Sequence, residues 1–327
     1  MLTDKKISVV VVCYKDAGCI HELYGKIKDT LERITPNHEI IYVNDASPDD
    51  AEEILIALAR TEPSLTVITH SRNFGAQVAF TSGLSQADGD AVVILDGDMQ
   101  DPPELIHDFV NKWLEGYDVV YGIRAKRREA WWKQIGYKVF YRLFRKIASF
   151  EVPLDAGEFS LMDRKVVDVI LACRERNRLI RGLRAYAGFS QIGISFVRPK
   201  RFSGESTQGF LDYINWAIRG LISFSVKPLK FISLLSFMVT LLTVSAMVVY
   251  FTLHLFGTAP SGFMTLLLII LFLGAVQLFC FSIVAEYLAQ IFEEIKNRPI
   301  NIVKHVVNDH RKIPRNWLGN EGSSDAP

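Results

Sequence analysis

The chain has 327 residues, with 37 Lys and Arg against 36 Asp and Glu and a formal net charge of +1. That balance argues against a nucleic-acid binder, which carries a basic excess to neutralise phosphates. An apolar fraction of 49% with 22% charged residues excludes a disordered chain. The average conceals one window: residues 231–285 hold no Asp, Glu, Lys or Arg, and His254 is the only histidine there. The sequence therefore describes a water-soluble part of catalytic size joined to a membrane part.

In chain order, ISVVVVC at 7–13 is a continuous β-branched run, the mark of a strand buried on both faces. Helical spacing follows from about 20 to 34, stopped by Pro36 and Asn37. A second strand at 39–43 leads to Ser47-Pro48-Asp49-Asp50, which supplies an N-cap, a first-turn proline and acids for the next helix. Strands at 65–69, 91–95 and 118–121 complete the series, with helices over 76–86 and after Pro103. Strand alternating with helix predicts an α/β domain with a mostly parallel, Rossmann-like, doubly wound sheet.

Ligands of such sheets bind at the carboxyl ends of the strands. Strand one delivers Tyr14 and Asp16 there, strand two Asn44 and Asp45, and strand four Asp96, Asp98 and Gln100. No glycine fingerprint or Walker sequence follows strand one, which disfavours a dinucleotide enzyme. Carboxylates facing a nucleotide diphosphate call instead for a divalent metal between them. Position matters more than the tripeptide: Asp88-Gly89-Asp90 repeats Asp96-Gly97-Asp98 but precedes its strand, at the wrong edge, and reads as solvated. His21 and His107 fall on helices away from the binding edge. His70 follows strand three, where approach to a base and a capping role compete. Cys13, Cys19, Cys173 and Cys280 show no ligand spacing and read as structural thiols of a reducing compartment.

Two amphipathic segments precede the membrane part. The stretch 137–147 alternates aromatics with Lys138, Arg142, Arg145 and Lys146, and fits a core helix and an interfacial helix equally well. The stretch 210–224 has one apolar face plus Tyr213 and Trp216 and adjoins a span, which favours lying on the membrane. Residues 231–253 and 263–285 are each long enough for a hydrocarbon core roughly 30 Å thick, which takes about 20 helical residues. Gly257, Pro260 and Gly262 punctuate the turn between them. Lysines and arginines flank both outer ends and are missing from the turn, so the positive-inside rule puts both ends in the cytoplasm. No signal peptide contradicts this orientation.

The stretches VVVVCYKDAG, IIYVNDASPDD, RNFGAQVAFTSGL, ILDGDMQDPPE, YGIRAKR, DAGEFSLMDRKVVD, ERNRLIRGL, RFSGES and EYLAQIFEEIKNRP occur in this order. Together they resemble the polyprenyl-phosphate glycosyltransferases of glycosyltransferase family 2, most closely the bacterial two-span GtrB-like type related to dolichol-phosphate mannose synthases. The resemblance implies a GT-A fold over 1–206, a juxtamembrane helix over 207–228, spans over 229–256 and 262–290, and a cytoplasmic tail over 291–327. It implies inverting transfer of a hexose to a polyprenyl phosphate such as undecaprenyl phosphate at the cytoplasmic face of a bacterial inner membrane. UDP-glucose is the donor it favours, with GDP-mannose or another nucleotide sugar as the alternative.

Carried over by position, Tyr14, Asp16 and Asp45 would bind the nucleoside side of the donor. Asp96 would help hold the diphosphate and, with Asp98 and Gln100, the Mg2+ or Mn2+ ion. Arg124 and Lys133 would face the acceptor phosphate, and Arg201 and Ser206 would close a loop over the donor. Asp155, catalytic together with Asp98, would sit at the reacting centre. The acceptor is already an anion, so orientation and charge stabilisation are the tasks expected of Asp155, with base catalysis as the alternative. Two departures stand out: Lys15 precedes Asp16 where the family has Asn before Glu, and Thr207 replaces the usual loop lysine. The arginines at 176, 178, 181 and 184 are too many for one phosphate and are expected in part to face lipid headgroups or a neighbouring subunit. The resemblance also implies a homo-oligomer such as a tetramer, and a separate flippase and downstream transferase. A processive synthase would need Gln-x-x-Arg-Trp and more spans, and a membrane-tethered nucleotide-sugar sensor would not need intact metal ligands.

Overall fold

In the computed structural model, which describes residues 1–124, 156–197, 227–256 and 262–309, the run ISVVVVC becomes strand β1 (Ile7–Cys13), buried at every position. Burying a Val or Ile side chain contributes about 1.5–3 kcal/mol, so such a strand belongs at the centre of a sheet. Parallel partners flank it: β2 (His38–Asn44) on one side and β4 (Ala91–Asp96) on the other. Strand β3 (Leu65–His70) adds parallel to β2. Beyond β4, β6 (Ala156–Asp163) runs antiparallel, then β5 (Val119–Arg124) and β7 (Gln191–Phe196). The order is β7-β5-β6-β4-β1-β2-β3-β8, with β8 (Val303–Val307) antiparallel to β3.

Helices cover both faces, as period-3.6 apolar spacing requires. On one face lie α1 (Ile20–Ile34), α2 (Ala51–Thr61) and α4 (Ile106–Leu114), whose buried residues pack with Val9, Val11, Tyr42 and Val93. On the other lie α3 (Ala76–Gln86) and α5 (Arg164–Ala172). Helix α3 sits close because Gly83 faces Val10: a Cβ there would meet Val10 Cγ1 at 2.1 Å. A short helix, α6 (Ile180–Tyr186), precedes β7.

The chain divides into two compact units: Met1–Tyr141, Phe150–Phe210 and Arg298–Pro327 form one, and Arg142–Ser149 with Leu211–Asn297 the other. The second unit contains helices α7 (Lys227–Leu255) and α8 (Phe263–Ile295), the transmembrane hairpin. Its stretches Leu229–Leu253 and Phe272–Ile295 are long and apolar enough to cross a membrane. The apolar reach of α8 thus extends beyond 262–290. The segment expected to be a tail, 291–327, contains the last turn of α8 and the edge strand β8. Its alternation of Val303, His305 and Val307 is too short to register as a strand beside the stronger runs.

The expected cap of α2 takes a different form. Asp50 occupies the N-cap without a side-chain bond, while Asp49 Oδ1 accepts from Ala51 N at 3.3 Å and Oδ2 from Ala17 N at 3.0 Å. Ser47 Oγ accepts from Lys15 N at 2.7 Å. These side chains lace the loop after β1 to the loop after β2.

Candidate active site

The carboxyl ends of β1, β2 and β4 meet at one edge through backbone bonds. Asp45 N donates to Cys13 O at 3.1 Å, and Gly97 N to Val12 O at 2.9 Å. Gly97 is required by that approach: a Cβ would stand 2.7 Å from Val12 O and 3.6 Å from Asp16 Oδ2. The absence of a side chain at 97 therefore brings the Asp96–Gln100 turn against Asp16. Met99 carries the turn at φ 62°, and Gln100 N donates to Asp98 Oδ1 at 3.1 Å. After β1, Lys15 has φ 62° and lays its Nζ 5.5 Å from the Tyr14 ring centroid.

The electrostatics of this edge centre on Asp96. Burial of its carboxyl, followed by the charges of Asp101 and Asp98, pushes its pKa from 3.8 up to about 8. Arg124 opposes that rise and Glu158 adds to it. Asp101, 0% exposed, faces Arg124 with its Oδ1 3.9 Å from Nη2. Arg124 in turn lies over Gly157, at a distance where even a Cβ would meet the guanidinium in ordinary contact, 3.4 Å from Nε. Two buried atoms here, Arg124 Nε and Glu158 Oε2, hydrogen-bond to nothing among the described residues. Arg184 also acts on Glu158, yet the acids outnumber the arginines in this cluster, so a cation fits it. Among the described residues no three acid, imidazole or thiol groups cage an ion by themselves. The set suits an ion shared with a phosphate ligand.

Asp101 and Glu158 were not singled out from sequence. Asp101 stands inside ILDGDMQDPPE, directly after Gln100, and its position was its only signal. Glu158 lies on an antiparallel strand that reaches the edge from the opposite direction, which spacing does not reveal.

Asp45 is 1% exposed, and its oxygens accept from internal donors. Oδ1 takes Phe74 N at 2.9 Å and lies 2.7 Å from His70 Nδ1, and Oδ2 takes Gly75 N at 2.7 Å. Asp45, expected to touch the nucleoside, orders the 71–75 loop at the start of α3. His70, buried beside it, meets Asp45 and Ser82 through its two ring nitrogens. Asp88 and Asp90 lie at the opposite edge, exposed, with Lys6 bonded to both. His21 and His107 are exposed on α1 and α4. Arg178 and Arg184 are buried rather than facing a headgroup. Arg178 donates to the carbonyls of Ile170 and Cys173, capping α5, and Arg184 lies 5.1 Å from the Tyr121 ring centroid. Burial lowers the Arg184 pKa to about 10. Lys133, Asp155, Arg201, Ser206 and the amphipathic stretches 137–147 and 210–224 lie outside the described residues.

The site is an acidic turn at the carboxyl edge of a parallel-centred α/β sheet without a glycine fingerprint. The family model "Glycosyl transferase family 2" matches residues 8–171. The chain belongs to glycosyltransferase family 2. It is 37% identical over 299 residues to the uncharacterized glycosyltransferase YkcC of Bacillus subtilis, covering 91% of this chain and 93% of that one. It is 35% identical over 324 residues to the SfII prophage-derived bactoprenol glucosyl transferase of Shigella flexneri, covering 94% and 100%. Among solved structures, the UDP complex of glucosyl-3-phosphoglycerate synthase from Mycobacterium tuberculosis is 17% identical with a TM-score of 0.44, covering 67% of this chain and 79% of that one.

Proposed function

We propose that this glycosyltransferase moves glucose from UDP-glucose to a polyprenyl phosphate such as undecaprenyl phosphate, with inversion at the anomeric carbon. The observation that carries the reading is the acid-rich edge around Asp96, where Asp98, Asp101 and Glu158 gather beside Arg124. Likeness to proteins named bactoprenol glucosyl transferase supports the sugar and the acceptor. Asp96, Asp98 and Gln100 would hold Mg2+ or Mn2+, which when bound offsets the charge of the departing diphosphate. Tyr14 and Asp16 bind the donor from the β1 loop, and Asp45 acts on donor binding by fixing the loop before α3. Arg124, with an unused buried N–H, receives the acceptor phosphate, assisted by Lys133. Asp155, which directly precedes β6, orients the acceptor and stabilises charge on the sugar, while Arg201 and Ser206 cover the donor.

The hairpin keeps the enzyme in the bilayer that contains its acceptor. The chain leaves the sheet unit before α7 and rejoins it at Arg298, so two crossings return both flanks to one side. With basic flanks, that side is the cytoplasm of a bacterial cell. Neither span has an Asp, Glu, Lys or Arg in 231–285, so flipping of the product falls to another protein and its use to a downstream transferase. The deciding experiment incubates purified protein with radiolabelled UDP-glucose, GDP-mannose and UDP-N-acetylglucosamine, each with undecaprenyl phosphate. Metal-dependent label in the lipid phase from UDP-glucose is the expected result; binding without transfer from any donor would make the protein a sensor.

A further inference from the structure

The segment after the second span does more than cover a sheet edge. Ser71 N donates to Ile302 O at 2.9 Å, and Thr66 Oγ1 to Asn308 O at 2.9 Å. Between Thr69 and His70 the β3–β8 register slips by one, passing over Lys304. A bulge of this kind re-aims side chains beside it, and His70 stands at this one. Its ring is buried, with Nδ1 2.7 Å from Asp45 Oδ1 and Nε2 2.8 Å from Ser82 Oγ. Asn301 Nδ2 donates to that same Ser82 oxygen at 2.7 Å. A line of bonds thus runs from Asn301, which enters the chain only after both membrane helices, through Ser82 and His70 to Asp45. From Asp45 it continues to the N–H groups of Phe74 and Gly75.

The order Asp45–His70–Ser82 has the spacing of a nucleophile relay, but its chemistry is different. Ser82 is 2% exposed, and its hydroxyl is engaged with Val78 O at 3.1 Å and with Asn301. Buried and doubly engaged, that hydroxyl is closed off from solvent. The line is a brace, and what it braces is the loop at the carboxyl end of β3.

We propose that Asn301 is a positioning residue for the nucleotide end of the donor site. By holding the Ser82 hydroxyl it holds the His70 ring, and through it the Asp45 carboxylate and the 71–75 loop. Without the Asn301 N–H, the Ser82 oxygen keeps only Val78 O besides the imidazole, and the His70 ring is held less firmly. The inference rests on reading that strand edge as a nucleotide-sugar site.

The test uses the full-length protein in detergent, with UDP as the calorimetric probe. Asn301→Asp keeps the side-chain volume and removes the N–H, and Ser82→Ala removes the junction. Each should weaken UDP binding about five- to tenfold, the worth of one internal hydrogen bond. The double variant should lose no more than either single one, because the two groups act as one unit. The KM for UDP-glucose should rise in step, while the KM for undecaprenyl phosphate stays at the wild-type value. Asn301→Ser is read in the same way should Asn301→Asp fail to fold. Unchanged UDP affinity in a folded variant overturns the proposal, as does a lower melting temperature with both KM values rising together. Wild-type protein that binds UDP but transfers no sugar would sink the enzyme reading, while the variant comparison would still decide the role of Asn301.

Discussion

Gly97 and Asp96 show how one small and one charged residue divide the work of the acidic turn. Gly97 brings the turn against β1, and the turn then crowds Asp96 among Asp98, Asp101 and Glu158. Because burial and those neighbours raise the Asp96 pKa to about 8, the metal-free folded protein holds a proton there that the unfolded chain releases near 3.8. The associated stability is complete below that lower value and is lost as pH rises through about 8. Metal-free protein should therefore melt at progressively lower temperature from about pH 5 to about pH 8, and Asp96→Asn should flatten that slope. A slope equally steep in the variant would remove Asp96 as its source. Asp98→Ala should abolish metal-dependent binding of UDP-glucose while leaving the fold intact; calorimetry with and without Mg2+ decides this. Asp155→Asn should lose turnover while keeping donor affinity, and near-normal turnover would take Asp155 away from the reacting centre. Sequence position was enough to separate Asp96 and Asp98 from the decoy pair Asp88 and Asp90. The hold of Asp45 on its own backbone was not legible, since an acid at a strand end reads alike whether or not it orders a neighbouring loop.

At the scale of elements, close approach and chain direction explain what was legible. Continuous β-branched runs identify β1 to β4, because strands buried on both faces leave little room for polar residues. Local periodicity carries no record of direction, so the antiparallel course of β6 and the edge pairing of β8 emerge only in three dimensions. Helix α3 offers a direct check. Gly83→Ala should destabilise the protein by about 1–3 kcal/mol through the clash with Val10, and adding Val10→Ala should recover part of the loss. A chemical-denaturation series showing additive effects would contradict that packing. Strand β8 is pinned by Asn308, whose Nδ2 donates to Ala59 O at 2.5 Å and Leu65 O at 3.1 Å, with φ at 54°. Asn308→Gly keeps that backbone freedom and should cost about 1–2 kcal/mol, whereas Asn308→Ala should cost more because it also strains φ. Equal melting temperatures for the two variants would show that the backbone contributes nothing.

For the whole molecule, the uncharged window that first divided the sequence becomes two helices, α7 and α8, inserted between parts of one sheet unit. A cysteine placed at Ser261 in the turn should react with an impermeant maleimide on intact cells, and one placed at Glu53 on α2 only after lysis. The opposite pattern would invert the orientation. The late position of β8 also has a consequence for biosynthesis. A ribosome releases β1 to β7 first, then two segments destined for lipid, and only then the strand that closes the β3 edge and carries the Asn301 amide. Until the hairpin has emerged, the nascent sheet has an open flank and the Asp45 loop has no brace. Completion of the catalytic unit is thereby timed to follow synthesis of its anchor, and a chain stalled before the membrane is left without a finished site.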